Sequence, residues 1–396
     1  MNKVFVTQEK MNMNNIIYSS EPRFRLTGRL VGYMDTLIIL SYIIGVEQTT
    51  FHFGVILLKI FLASIFYKKI HIPRNALFFV FVVFFSILPG IVINGEDYLQ
   101  LIQILGFSGQ LILSCALIGK DGLLDYLKSI AISVSTFAVI HSVMCIFNYI
   151  PNNYGRYFYF RGFHPNLGSE IGAIGVVAAA LSMRWKSTAM IVAAIVPSIM
   201  LMQGRAALLA VVLTLALRFG FEGVAYMFRL RARAFPVLPT VVFLISLALL
   251  ASSLIYHVMS DVFMLNDEYR GVGTGFVGRD SHWLTAIAVI QEKPLFGAGP
   301  GYFNQRGMLS PHNFFLYGIS TMGIIGFGVF LANLTFLYVK MWSASKFHGF
   351  VLAGILPLFL FNDRMLNVNP YPFVVFVVLV SFNMNVSFRR ERTGFE

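Results

Sequence analysis

The residues best suited to chemistry lie in one polar stretch, from Arg270 to Gly323, in a chain that is otherwise mostly apolar. Arginines and histidines recur in this stretch among glycines and prolines, and carboxylates are few. Guanidinium groups bind phosphate oxygens through paired N–H donors, and an uncharged imidazole can take a proton from a hydroxyl group. This combination is typical of a site that binds an anionic substrate and activates a hydroxyl.

A further arginine, Arg205, follows Gly204 at the start of an apolar segment. A cation at a helix N-terminus opposes the helix macrodipole, so helix propensity does not explain it. Free backbone N–H groups and a guanidinium at one point form an anion site. The alternative is that Arg205 only extends to the membrane surface. The cost of a charge within the membrane favours the functional interpretation.

His312 stands between Pro311 and Asn313 at the entry of a later apolar segment. Arginines nearby would keep its imidazole neutral, because like charge disfavours the protonated form. A neutral His312 could act as general base toward a sugar hydroxyl. An interfacial or helix-capping histidine is the equally open alternative.

The elements that must position these residues are membrane helices. The chain has 396 residues, of which 57% are hydrophobic and 12% charged, and its mean hydropathy is +0.74. Soluble domains carry roughly 25% charged residues. We therefore expect an all-α polytopic membrane protein with about twelve transmembrane helices and a periplasmic loop region containing short helices. Residues 1–396 would form a single integral membrane domain.

The expected spans are apolar segments near the length of about 20 residues that crosses a bilayer. They cover about residues 30–46, 51–67, 76–93, 98–117, 129–150, 167–183, 188–203, 206–217, 237–256, 313–339, 349–361 and 372–386. Cys115 and Cys145 fall inside them and are expected to be buried thiols. Asp35 and Lys59 also fall inside, where they either pair with each other or Lys59 reaches the surface.

The positions of Lys and Arg predict the orientation, because cytoplasmic loops carry an excess of both. With the N-terminus in the cytoplasm, alternating spans place these clusters inside: Arg23–Arg29, Lys68–Arg74, Lys120–Lys128, Arg184–Lys186, Arg218–Arg233, Lys340–Lys346 and Arg389–Arg392. Both termini are then cytoplasmic. This pattern requires two short spans joined by a turn at Gly204, and their shortness would place Arg205 in a recess below the outer surface.

Two outer loops carry the polar residues with functional potential: residues 151–166, a first periplasmic functional loop, and 257–311, the main periplasmic catalytic loop. The substrate-binding candidates in and beside them are Arg161, His164, Asn166, Glu170, Arg270, His282, Arg306 and Asn313. No cluster of His, Cys, Asp and Glu has the spacing of a metal site. We therefore expect no metal and no cofactor, with arginines binding a pyrophosphate directly.

Within the longer loop, two local patterns predict structure. Trp283, Leu284, Ile287 and Ile290 fall on one stripe after Arg279, which predicts a helix lying along the membrane surface. Residues 294–301 are rich in glycine and proline and are predicted to form a turn rather than a dinucleotide-binding loop, because no strand precedes them.

Several motifs follow one another between about residues 160 and 330. They are Phe163-His164-Pro165-Asn166, Gln203-Gly204-Arg205-Ala206-Ala207-Leu208-Leu209, Gly278-Arg279 with Trp283, Lys293-Pro294-Leu295-Phe296-Gly297-Ala298-Gly299, Pro311-His312-Asn313-Phe314-Phe315-Leu316 and Gly323-Ile324-Ile325-Gly326. In order and in expected placement, the set resembles the O-antigen ligase and polysaccharide polymerase superfamily of bacterial inner-membrane glycosyltransferases. The resemblance does not extend to the first five spans, which are generic.

The resemblance implies metal-independent, inverting transfer of a glycan from an undecaprenyl-diphosphate-linked donor at the periplasmic face of the bacterial inner membrane. It also implies that Arg205 and Arg279 bind the diphosphate and that His312 activates the acceptor hydroxyl. These three are the catalytic candidates.

The acceptor distinguishes two activities of that superfamily. We expect a polymerase, which uses a second lipid-linked repeat unit, with a chain-length regulator protein as a further partner and no nucleic acid. The alternative is a ligase that transfers the glycan to lipid A-core. A lipid-linked glycan flippase is the alternative from another class, and it predicts charged residues along a path at mid-membrane.

Overall fold

The computed structural model describes residues 22–44, 48–65, 72–94, 98–119, 122–147, 165–202, 204–230, 279–308, 310–361 and 373–382. All regular elements in these ranges are helices. They are α1 (Pro22–Ile44), α2 (Gln48–Ile65), α3 (Arg74–Asn94), α4 (Tyr98–Ile118), α5 (Leu123–Phe147), α6 (Pro165–Ser182), α7 (Trp185–Leu201), α8 (Arg205–Leu230), α9 (Arg279–Glu292), α10 (Tyr302–Gln305), α11 (Phe314–Ala344), α12 (Lys346–Ala353), α13 (Leu356–Phe361) and α14 (Phe373–Phe382).

Within this part of the chain, four helices are long and apolar enough to cross a membrane: Arg74–Ile93, Leu123–Phe147, Arg205–Gly223 and Phe314–Ala344. Several shorter apolar helices accompany them, among them α6, α7 and α14. The predicted all-α architecture is therefore confirmed for the described residues, and their helices suit a membrane. The number of about twelve spans stays a prediction.

Helix α6 is the centre of the bundle, and every residue from Leu167 to Leu181 is buried. Its sequence is rich in glycine and alanine, which lets neighbouring helices approach closely, as is common between membrane helices. A Cβ atom at Gly172 would lie 2.9 Å from the Ile199 side chain of α7, and one at Gly175 would lie 2.6 Å from Val134 of α5. These two glycines therefore set the spacing of α5, α6 and α7.

Contacts at the two ends of α6 fix the directions of its neighbours. Gly204, between α7 and α8, lies against Ser169 with no room for a Cβ atom. Arg218 of α8 donates to the carbonyls of Ala180 and Met183, both at 2.9 Å, at the far end of α6. Helices α6 and α8 thus run parallel and α7 runs antiparallel to both, as predicted for two helices joined by a turn. We name the two ends of the bundle the Arg205 end and the Arg218 end.

The basic residues of the predicted cytoplasmic clusters collect at the Arg218 end. Arg29 pairs with Asp125 at 3.2 Å near the start of α5. Helix α3 runs antiparallel to α11, because Ser86 lies against Gly326 and Gly90 lies against Thr321. Followed along each helix, the described cluster members at this end are Arg29, Arg74, Lys128, Arg184, Lys186, Arg218, Lys340 and Lys346. This segregation agrees with the predicted division of charge, while the side of the membrane that each end faces stays a prediction.

Several predicted boundaries are wrong. Helix α8 has 26 residues, whereas the segment 206–217 was expected to be a short span, so shortness no longer argues for a recess at Arg205. The helix can continue past Arg218 because the guanidinium of this residue bonds to Glu222 at 3.1 Å as well as to the carbonyls at the end of α6. The first helix begins at Pro22 rather than near residue 30, since proline suits the first turn of a helix.

The predicted span over residues 349–361 is not one helix but two, α12 and α13. Gly354, between them, packs so closely on Thr214 of α8 that a Cβ atom would overlap it. Pro357 follows and has no backbone N–H to donate to a preceding turn. The chain therefore bends across α8 instead of crossing in a single straight segment.

Two further expectations are confirmed inside the bundle. Lys59 and Asp35 form a fully buried ion pair, and Lys59 Nζ also donates to Ser114 Oγ at 2.8 Å. Cys115 and Cys145 are buried free thiols.

Candidate functional site

The site is built at the Arg205 end, where Arg205 begins α8 and is partly buried. The preceding turn is tight because Gly204 lies against Ser169, whose hydroxyl donates to the Asn166 carbonyl at 2.7 Å. Glu170, the next residue of α6, is buried. The start of α6, with Asn166 and Glu170, and the start of α8, with Arg205, therefore share one small region.

His312 has a backbone conformation that residues other than glycine rarely adopt. Its φ is 47°, the one positive value for a non-glycine residue in the described ranges. Such conformations cost about 1–3 kcal/mol and persist where the surroundings enforce them. Trp283 Nε1 donates to the Pro311 carbonyl at 2.9 Å, and the Asn313 side chain caps α11 by accepting from two backbone N–H groups at 3.0 and 3.1 Å. His312 is thus fixed from both sides.

His282 of α9 lies against His312. The two ring centroids are 6.3 Å apart and the ring planes are nearly perpendicular, at 88°. Both side chains are half-buried, which leaves part of each imidazole accessible. The structure therefore brings together two predicted site residues from separate elements.

The buried face of α9 differs from the predicted stripe. Ala286 and Val289 are the buried residues, packed in a cluster with Tyr302, Phe303 and Tyr317. Leu284 and Ile287 of the predicted stripe are 67% and 41% exposed. The predicted helix is confirmed, and its location along the membrane surface stays a prediction; Ala286 packs on the protein because its small side chain allows close approach. The exposed apolar residues suit contact with lipid.

A break in α11 receives the loop that follows α9. Gly323, with φ 70° and ψ 174°, interrupts the helix. The carbonyls of Ser320 and Thr321 accept hydrogen bonds at 2.8 and 2.9 Å from backbone N–H groups of loop 294–301, and the Pro294 carbonyl accepts one at 2.8 Å from the first residue after the break. The predicted turn at 294–301 is confirmed, and it fastens α9, with Trp283, to α11, with His312.

His312 and Arg205 lie at the same end of the bundle. Asn313 Nδ2 donates to the Leu360 carbonyl at 3.3 Å, so the start of α11 meets the end of α13. The other end of the α12–α13 segment packs at the Arg218 end, where Phe347 contacts Phe221 with ring centroids 5.6 Å apart. The chain from Phe347 to Leu360 therefore runs along α8 toward Arg205. Because Asn313 contacts Leu360, His312 lies at the Arg205 end of the bundle.

Two predicted substrate-binding residues have structural partners. Arg306 lies 4.2 Å from the centroid of the Tyr302 ring and donates to the Tyr302 hydroxyl at 2.6 Å. Asn313 serves as the cap of α11. Any contact of either residue with substrate would be additional to these bonds and stays a prediction.

Other predicted residues lie outside the described ranges, namely Arg161, His164 and Arg270. Of Arg279 the structure gives the backbone position, at the first residue of α9. That position is about one helical turn before His282. The described candidate residues therefore form two groups at one end of the bundle: Arg205 with Glu170, and His282 with His312 beside the start of α9.

This arrangement can bind an anion and accept a proton. Arg205 offers guanidinium donors beside the first backbone N–H groups of α8, and His282 and His312 are half-buried imidazoles of the kind that can accept a proton. Among the described residues, no group of three or more His, Cys, Asp or Glu side chains is placed to hold a metal ion.

A comparison with models of known protein families finds no match, and a comparison with curated proteins finds no significant similarity. The interpretation of the site therefore depends on its own residues and on the ordered motifs.

Trp283 is the supporting residue that the sequence pattern missed. The pattern assigns it to an apolar stripe, but its indole N–H holds the Pro311 carbonyl, 28 residues further along the chain. No local signal pairs two such positions. The one relevant sequence feature is that Trp283 directly follows the candidate site residue His282, because a buried indole N–H usually has a hydrogen-bond partner.

Proposed function

We propose that the protein is a membrane polymerase that joins undecaprenyl-diphosphate-linked oligosaccharide repeat units at the periplasmic face of the bacterial inner membrane. The observation that carries the proposal is the placement of His312. It is a conformationally strained histidine, fixed by Trp283 and Asn313, at the same end of the bundle as Arg205 and the start of α9. The resemblance of the ordered motifs supplies the class of reaction.

The proposed reaction is an inverting displacement at the anomeric carbon of the donor. His312 accepts the proton of the acceptor hydroxyl, and the hydroxyl oxygen forms the new bond from the side opposite the leaving group. The bond between the anomeric carbon and the diphosphate oxygen breaks, and its electron pair leaves with the lipid diphosphate. Arg205 and Arg279 bind the diphosphate and offset its growing negative charge.

The charges inside the bundle favour a transferase over a flippase. A transporter should carry charged residues along a path at mid-membrane. The fully buried ion pair of the described part, Asp35 with Lys59, is instead closed off by Ser114, whose hydroxyl donates to Asp35 Oδ2 at 3.1 Å. The cluster shows no side-chain exposure, so it offers a substrate no route.

Reconstitution of the purified protein in nanodiscs with undecaprenyl-diphosphate-linked repeat units tests the proposal. We expect lipid-linked glycans of two or more repeats to form, both with and without EDTA. A parallel reaction with lipid A-core as acceptor separates the polymerase from the ligase alternative. Lack of any new glycosidic bond with either acceptor would overturn the transferase assignment, and loss of activity in EDTA would overturn its metal-free mechanism.

A further inference from the structure

Helix α11 folds back on itself at Gly323 instead of running straight. Phe327, four residues after this break, contacts residues that come before it: its ring centroid lies 5.2 Å from that of Phe314 and 6.1 Å from that of Phe315. Gly318 lies so close to Phe327 that a Cβ atom there would overlap the ring. Nine residues of uninterrupted helix would instead separate these two positions by about 13.5 Å along the axis. The residues before the break therefore pack against the residues after it.

The fold-back determines where His312 lies. We name residues 314–322 the half-helix and residues 324–344 the long segment. At the start of the half-helix, Phe314 lies beside the long segment and contacts Phe359 of α13, with ring centroids 5.8 Å apart. A straight helix would place His312 about 16 Å beyond the break. The fold-back places it beside the long segment instead, among the helices of the bundle.

Backbone hydrogen bonds fix the angle at the break. Loop 294–301 donates to two carbonyls at the end of the half-helix, at 2.8 and 2.9 Å. Carbonyls of the same loop accept from the first two N–H groups of the long segment, at 2.8 and 3.3 Å. These bonds lie at the break, whereas His312 lies at the other end of the half-helix, about 13.5 Å away. A tilt of the half-helix by about 10° would move that end by about 2 Å, so this end needs support of its own.

Phe327 supports the half-helix at the His312 end. Trp283 holds the Pro311 carbonyl, which precedes the half-helix, whereas Phe327 packs on the half-helix itself. The Phe327 side chain is 4% exposed and fills the space beside the first turn. A smaller side chain would leave a void into which the half-helix could tilt. Because a misplacement of about 1 Å can cost about 10²-fold in rate, such a tilt should be visible in the reaction.

From this geometry we infer that Phe327 is a positioning residue for His312, which acts through the half-helix and not by contact with substrate. The inference rests on the proposed function and adds a residue that lies outside the ordered motifs. Phe330 of the long segment provides the comparison. It is also buried, but its ring packs on those of Phe79 and Phe376, at 6.2 Å from each. Loss of aromatic packing alone would therefore act alike at both positions, whereas positioning of the half-helix is specific to Phe327.

Cysteine cross-linking of the full protein in nanodiscs tests the fold-back. Gly318→Cys with Phe327→Cys places two thiols at this contact, where a disulfide needs Cα atoms roughly 4.4–6.8 Å apart. After oxidation with copper phenanthroline, cyanogen bromide cleaves the chain after Met322, between the two positions. We expect mass spectrometry to find the two fragments joined through a disulfide. Gly318→Cys with Phe330→Cys is the control and should give separate fragments.

Single-turnover transfer of a lipid-linked glycan tests the positioning role. Phe327→Leu and Phe330→Leu each remove one buried ring and should lower the thermal midpoint by similar amounts. We expect Phe327→Leu to slow transfer at saturating donor about tenfold, with unchanged apparent affinity for the donor, whereas Phe330→Leu transfers at the wild-type rate. Phe327→Met, whose longer and more flexible side chain adapts to the space, should recover part of the rate. It replaces Phe327→Leu if that variant does not fold.

Separate fragments from the pair of cysteines at positions 318 and 327 would overturn the fold-back. Equal transfer rates in Phe327→Leu and Phe330→Leu would overturn the positioning role. Joined fragments in a protein that forms no glycosidic bond would support the fold-back and contradict the proposed function, and with it the role of Phe327 in transfer. Glycan transfer by a protein whose fragments stay separate would support the proposed function and contradict the inference.

Discussion

At the scale of single residues, the backbone of His312 makes a prediction that is independent of catalysis. His312→Gly and His312→Ala both remove the imidazole, but only glycine adopts φ near 47° without a steric cost. The glycine variant should therefore be the more stable of the two by about 1 kcal/mol. Chemical unfolding of both variants in detergent measures the difference, and a more stable alanine variant would contradict a left-handed His312.

Trp283 should affect the reaction through the position of His312. Trp283→Phe keeps an aromatic ring but removes the donor to the Pro311 carbonyl, a loss of about 1 kcal/mol. We expect a lower rate of glycan transfer at saturating donor, with little change in apparent donor affinity. Trp342→Phe at the Arg218 end is the matched control and should transfer at the wild-type rate. Equal rates in both variants would argue against this positioning role.

The sequence predicted where His312 lies but not how it is held. Its place at the entry of an apolar segment was predicted, whereas Asn313 was expected to bind substrate and its role as the cap of α11 was not predicted. The positive φ of His312 was not predicted either, because the conformation is enforced by Trp283, which belongs to another helix. The same holds for the contact between His282 and His312, which depends on how loop 294–301 joins α9 to α11.

At the scale of elements, the break in α11 should tolerate only glycine. A Cβ atom at Gly323 would overlap the Leu295 carbonyl, and its φ of 70° with ψ of 174° is a glycine conformation. Gly323→Ala should lower the free energy of unfolding by at least about 2 kcal/mol. Gly328→Ala, in the same helix with open space around it, should be neutral or stabilising. Thermal unfolding of both compares them; similar stability would show that the break is not required.

The helices and turns that were predicted correctly are those whose cause is visible in the order of residues along the chain. The turn at Gly204 follows from the charge pattern, since a single fused helix would place Arg218 on the wrong side. The interruption at Gly354 was missed because it depends on contact with Thr214 of α8. The protein-facing side of α9 was not predicted at all, since the small Ala286 faces aromatic residues that come from α10 and α11.

At the scale of the whole molecule, the Asp35–Lys59 pair should contribute to stability without a part in transfer. Lys59→Met leaves a fully buried carboxylate without its cation and should cost about 3–5 kcal/mol. Replacing both, Asp35→Leu with Lys59→Met, should recover most of that loss, because a buried pair is often replaceable by apolar residues. The double variant should also retain wild-type transfer. A folded double variant without transfer would assign the pair to function and contradict this division.

The distribution of charge was the most predictable property of the molecule. Alternating spans predict that the basic clusters lie at one end of the bundle, and the described residues of these clusters lie together at the Arg218 end. At the opposite end, the sequence predicted which residue types the candidate site contains, but it did not predict their contacts and orientations.

The most direct test of the account is the single-turnover rate of glycan transfer by His312→Asn, compared with wild type in the same nanodiscs. Asparagine tolerates the left-handed backbone better than most residues, but its amide cannot act as a general base. We predict a rate lower by about 10²–10⁴-fold, with unchanged binding of the lipid-linked donor. A wild-type rate in folded His312→Asn would contradict the assignment of His312 as the base.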